Sequence, residues 1–384
     1  MWSRNDDSID LFASGNLMVD FLRNVFSLNA FTPRYMVKTA FDVMLQSADV
    51  LKCITPEEGR QSFQEFQNKL QAFYLFEYVD SVLGFSPDTA LNLNDMLHRT
   101  RSLGPFFSVW ATEGVGHYYS YLLASGSALP QGILSEAARD LPLESLIPLH
   151  TGMGLALAET QLSRQYDTKA LAESFVQLCH SNSRHEYWPA SVEALGLVVR
   201  NLRPDLIAPL DHHFSNSSEE LLAYFWHGIG RGTYFAPVNS LPRWNAPCQG
   251  YEMCMQAPHE LGRLNATAGF VWAMTLVNLR HPEIVAAWLH RYSATLIDDA
   301  AANGIFSALL VWSYCAPNDF LVRAFGDYQP AAGDSFLSLL WEKQVRQTVV
   351  QALHYRGSKA MPDTGKIFRY QPLVRFADEC KFNL

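Results

Sequence analysis

Apolar positions recur along this chain at three- and four-residue steps. Leu11, Leu17, Met18, Phe21, Leu22 and Phe26 fall on one face of an amphipathic helix. Phe63, Phe66, Leu70, Phe73 and Phe76 repeat the pattern, as do Phe336, Leu337, Leu340, Trp341 and Val345. Sustained alternation of apolar and polar residues is scarce, so few strands are predicted. Pro56, Pro87, Pro105, Pro142, Pro148, Pro204, Pro209 and Pro317 each read as a stop between helices. The pattern predicts an all-α fold.

A glycine motif recurs within it. Glu113-Gly114-Val115-Gly116-His117 resembles Thr151-Gly152-Met153-Gly154-Leu155 and His227-Gly228-Ile229-Gly230-Arg231. Ala268-Gly269-Phe270-Val271-Trp272 is a weaker copy, and the segments around Gly196 and Gly304 are degenerate ones. Successive first glycines lie 38, 44, 32, 41 and 35 residues apart. A drifting period of this size suits stacked helix pairs, an α-solenoid-like array; a closed α/α toroid built from the same pairs is the alternative. The expected division is an N-terminal helical region over residues 1–100, a repeat domain over 101–330 and capping helices over 331–384. Glycine inside a helix costs roughly 1 kcal/mol against alanine. Its recurrence at one register therefore reads as close helix approach, with i and i+2 glycines serving opposite flanks; a glycine-rich turn before a helix is the competing reading.

The residues bracketing each first glycine are i and i+4, on one helix face. They are Glu113 and His117 in the first copy and His227 and Arg231 in the Gly228 copy, against Thr151 and Leu155, and Ala268 and Trp272, in the others. If these faces line one hollow, Glu113, His117, His227 and Arg231 form a candidate catalytic group, with His150 at its rim. If they face solvent instead, they are ordinary surface pairs. Trp226, Tyr234 and Trp272 are candidate substrate-binding walls for an apolar molecule, and equally candidates for core.

These motifs resemble those of a bacterial family found in enediyne natural-product gene clusters, an enediyne biosynthesis protein of unknown function. Its repeated patterns are matched here by Gly114 to Tyr119, His150 to Leu157 and Gly228 to Phe235, with Tyr118-Tyr119 standing where the family pattern has Ala-Leu. The likeness covers about residues 100–310. It implies a secondary-metabolite setting and supplies no mechanism.

Composition narrows the classes. Charged residues make up 17% and the formal net charge is −9, with no basic block to meet phosphates, so no nucleic-acid partner is expected. The six cysteines form no C-x-x-C pair, and no disulfide framework is predicted. Met1-Trp2-Ser3-Arg4-Asn5-Asp6-Asp7 does not read as a signal peptide. The longest apolar stretches, Ala266 to Leu279 and Gly304 to Cys315, are too short for a membrane span. A cytoplasmic protein is expected.

Other chemical signals fail on their own terms. His259-Glu260-Leu261-Gly262-Arg263 lacks the second histidine of a zinc-protease motif. Asp211-His212-His213 reads as a surface turn, and Asp298-Asp299 as a helix end. No metal is predicted and no motif identifies a cofactor. The proline-rich stretch from Ala236 to Pro258 is the candidate lid. Two functions remain open: an enzyme or accessory protein handling a hydrophobic polyketide-type intermediate, and a non-catalytic scaffold for a protein partner.

Overall fold

Phe63, Phe66 and Leu70 are buried on the first described helix, α1 (Glu57–Glu77), as their spacing predicts. The computed structural model describes residues 57–85, 92–124, 129–135, 140–164, 167–236, 239, 242, 247–297, 299–330, 334–359 and 361–381, and among these there is no strand. The helix predicted around Leu11 to Phe26 lies outside the described residues. The chain is all-α. Its principal further helices are α2 (Leu93–Thr100), α3 (Gly104–Ala124), α4 (Leu143–Arg164), α5 (Thr168–Asn182), α6 (Ala194–Leu202) and α7 (Ile207–Ser217). They continue with α8 (Glu219–Phe235), α9 (Glu260–Val277), α10 (Pro282–Tyr292), α11 (Ala300–Cys315), α12 (Leu321–Asp327) and α13 (Gln347–Ser358).

Local chemistry sets several of these starts. The Asn92 side chain accepts from the Asn94 and Asp95 amides, Asp167 from Ala170, and Ser218 from Leu221, each satisfying amides that have no partner within the helix. Pro56 and Pro87 lie outside the described residues, and among the described prolines two depart from their predicted role. Pro209 lies within the first turn of α7, where a missing amide hydrogen costs nothing, and Pro148 lies inside α4. At Pro148 one helical hydrogen bond is forfeited. Burial of nearly every residue from Ser145 to Ala158 outweighs that loss.

Neighbours in sequence pack in space: α3 on α4, α4 on α6, α6 on α8, α8 on α9 and α9 on α11, while α11 also touches α4 and α1 meets α3, α9 and α10. The two longest apolar stretches become α9 and α11. Every residue of α11 is buried, as expected of a helix that is apolar all round.

The glycines explain how these helices approach. A Cβ built on Gly152 would fall on the carbonyl oxygen of Glu113, and one on Gly116 on that of Leu149. The α6–α8 contact is reciprocal in the same way, Gly196 against the Phe225 carbonyl and Gly228 against that of Glu193. So is the α8–α9 contact, Gly230 against Ala266 and Gly269 against His227. Within one motif the two glycines serve opposite neighbours: a Cβ on Gly114 would lie 2.6 Å from the Phe76 carbonyl on α1, whereas Gly116 faces α4. The close-approach reading therefore holds, and the turn reading does not. Backbone meets backbone here without intervening side chains, a mode that lets Cα–H groups lie against carbonyls.

Candidate functional site

His227 and Arg231 lie one turn apart on α8, on either side of the Gly228–Gly230 pair. Because Gly228 rests on the Glu193 carbonyl, the Glu193 side chain at the start of α6 is brought up to both. Arg231 Nη1 donates to Glu193 Oε2 at 2.6 Å, and His227 Nδ1 meets Glu193 Oε1 at 2.8 Å. On its other side Arg231 Nη2 donates to Glu113 Oε1 of α3 at 3.3 Å. The guanidinium stands 4.5 Å from the centre of the Trp272 ring, a cation–π contact. Phe368, from the C-terminal segment, lies 6.3 Å from the His227 ring and 5.9 Å from Trp272.

The side chains of Glu193, His227 and Arg231 are at most 2% exposed, and that of Glu113 is 12% exposed. Two buried donors of the group, Arg231 Nε and Trp272 Nε1, have no hydrogen-bond acceptor among the described residues.

The two glutamates respond differently to this setting. Burial dominates at Glu113 and pushes its carboxyl above the ordinary value; Arg231 opposes the rise and the Glu193 charge adds to it. Burial would raise Glu193 as well, but the Arg231 charge and the His227 hydrogen bond outweigh it and hold that carboxyl below the ordinary value. Burial depresses His227 despite its bond to Glu193, so the neutral imidazole donates from Nδ1. Arg231 stays charged, because its two carboxylate partners more than offset burial. With Glu113 protonated, the positive Arg231 and negative Glu193 leave the tetrad neutral. With Glu113 ionised it carries one net negative charge.

Of the predicted residues, Glu113, His227, Arg231 and Trp272 are brought together, and the other four are not. His117 turns away to Glu159, Nε2 to Oε2 at 3.0 Å, with Phe76 against its ring at 4.8 Å. Sharing a helix face does not hold both side chains at one hollow, because Glu113 reaches inward while His117 finds its own carboxylate. His150 is spent elsewhere: Nδ1 lies 2.7 Å from the Leu146 carbonyl, Nε2 accepts from the Arg184 amide, and the ring stacks on Tyr187. Burial depresses its pKa to about 4.

Trp226 Nε1 donates to Asp211 Oδ1 at 2.7 Å, which also meets His259 Nε2 at 2.8 Å. Asp211, His212 and His213 are thus part of α7 rather than the predicted turn. His259 accepts from the Gly262 amide and caps α9. Tyr234 belongs to a separate buried network. Its hydroxyl accepts from Asn278, Lys69 Nζ lies 3.8 Å over its ring, and Lys69 pairs with Glu65 at 3.2 Å. Asp299 precedes α11 and accepts from the Tyr370 hydroxyl and the Leu373 amide; Asp298 lies outside the described residues. The described part of the candidate lid is anchored in the core, with only Glu252, Gln256 and Pro258 exposed. Cys248, Tyr251 and Cys254 are buried, and Tyr251 packs on Trp288 and Tyr292.

Glu193 was not among the predicted residues, although it is the hub. Its signal was a single acid inside the apolar run from Ala190 to Val199, three residues before Gly196. A carboxylate there must be paired or neutralised, because an isolated buried charge is too costly.

Among the described residues, no three His, Cys, Asp or Glu side chains gather as a metal site, and no helix is long and apolar enough to cross a membrane. Compared with protein-family models, with curated proteins and with solved structures, the chain matches none.

Proposed function

We propose that this chain handles a hydrophobic intermediate of secondary-metabolite biosynthesis and moves a proton to or from it at Glu113. The observation that carries this reading is the pair of carboxyl groups sharing one guanidinium, with Glu113 shifted up and Glu193 shifted down. Pairs of acids driven apart in this way are how one site holds a proton donor beside a permanent anion. Glu113 is also the member of the tetrad with most exposure. In this scheme Glu113 exchanges the proton, and Arg231 stabilises negative charge as it develops on the substrate. Glu193 locks Arg231 in place, and His227 orients Glu193. The setting rests on the glycine-motif resemblance.

The scaffold reading retains one specific support: Phe336, Leu339 and Val350 are exposed apolar side chains on the terminal helices. One experiment separates the two. In cells that make the metabolite, Glu113→Gln preserves size and one hydrogen-bonding oxygen but cannot release a proton. The catalytic reading expects product to fall at least about a hundredfold, with no loss of melting temperature. Wild-type product from that variant, alongside a gene deletion that makes none, would reject Glu113 chemistry and leave the scaffold.

A further inference from the structure

A second candidate site, lined by no member of the tetrad, lies where the end of α11 meets α12 and α13. A cleft of about 390 Å³ opens there, within the range of small-molecule sites. Val322 and Leu353 contribute apolar wall, and Phe320, 72% exposed, stands at the edge. Two guanidiniums line the same cleft, Arg323 and Arg356.

Their partners are few. Arg356 is fixed over the Tyr314 ring at 4.3 Å, and its Nη1 donates to the Lys359 carbonyl at 3.3 Å. Its Nε is buried and has no acceptor among the described residues. Arg323 is exposed and has neither an ion pair nor a hydrogen bond among the described residues. The acid lining the cleft, Asp319, is already engaged: Oδ2 accepts from Trp312 Nε1 at 3.0 Å and Oδ1 from the Leu321 amide at 3.2 Å. It pairs with neither arginine. Two guanidiniums against one carboxylate leave a single net positive charge beside an apolar wall. That matches one negative charge on an apolar body.

We infer that this cleft binds an amphipathic monocarboxylate, its carboxylate held between Arg323 and Arg356 and its hydrocarbon against Phe320, Val322 and Leu353. Guanidinium–carboxylate contacts are charge-assisted and directional, and a preplaced Arg356 loses little freedom on binding. The aromatic at the edge gives the hydrocarbon a surface to cover. The inference does not depend on the chemistry proposed for Glu113.

Calorimetric titration of the full chain with decanoate, decanol and acetate tests it. Decanoate should bind at least about tenfold more tightly than either comparator, since decanol lacks the charge and acetate lacks the apolar body. Arg323→Ala should weaken decanoate about tenfold at unchanged melting temperature, and Arg356→Gln should weaken it at least as much. Should Arg356→Gln fail to fold, Arg323→Ala decides alone, because its side chain is exposed. Absence of decanoate binding, equal binding of decanol, or undiminished decanoate affinity in Arg323→Ala would overturn the assignment.

Discussion

Gly152→Ala is expected to lower the unfolding free energy by about 3 kcal/mol or more, at the upper end of overpacking effects. The added methyl would fall on the Glu113 carbonyl oxygen and lie 2.7 Å from the His117 amide nitrogen. Both obstacles are backbone of α3, so no side chain can rotate aside, and relief requires moving one helix off the other. That movement would also carry Glu113 away from Arg231. Gly357→Ala is the internal control. Gly357 also lies in a helix, but nothing stands within 4 Å of the added atom, so helix propensity alone should stabilise by about 0.5–1 kcal/mol. Urea unfolding of the two variants reads both effects. A Gly152→Ala protein as stable as wild type would mean that the α3–α4 contact is looser than described.

The second large effect is expected at Arg231. Arg231→Met keeps the bulk of the side chain against Trp272 but leaves Glu113 and Glu193 buried without their shared counter-charge. Loss of one partner from a buried ion network costs about 3–5 kcal/mol. Removing the two acids left without Arg231 as well should recover much of that loss, since well-packed neutral groups often replace buried ion networks at little cost. Arg231→Met with Glu113→Gln and Glu193→Gln is therefore expected to unfold later in urea than Arg231→Met alone. A triple variant no more stable than the single one would place the stabilising role of Arg231 outside this network. The comparison measures coupling between contacting residues, where additivity fails.

Much of the fold could be read from periodicity. The face of Phe63, Phe66 and Leu70 and the apolar runs in α9 and α11 translate directly into buried helices, because burial of apolar surface is what their spacing encodes. The glycine register announced close helix contact, since a repeated loss of helix propensity needs an offsetting gain. Which carbonyl each glycine meets was not readable. That depends on crossing geometry between segments dozens of residues apart.

The site was partly readable for the same reason. The motif marked Glu113, His227 and Arg231, but i,i+4 spacing fixes only a face, and His117 found Glu159 instead. Glu193 escaped because its nearest motif copy is degenerate. His150, Trp226 and Tyr234 were polar or aromatic residues whose partners, the Arg184 amide, Asp211 and Asn278, come from other elements. Pro148 misled because local propensity was overridden by burial.

Glycine-mediated contact assembles a tetrad whose two carboxyls are driven in opposite directions. This has consequences for stability. Glu193, with its carboxyl held low, contributes stability above the ordinary glutamate value that is lost as pH falls through its folded value. Glu113, held high, contributes stability in acid that is lost as pH rises through its folded value. A carbon-detected NMR titration of the side-chain carboxyls, assigned with Glu113→Gln and Glu193→Gln, measures both directly. The account predicts that Glu113 titrates above, and Glu193 below, the ordinary value near 4.5. Two carboxyls titrating together at that ordinary value would contradict it.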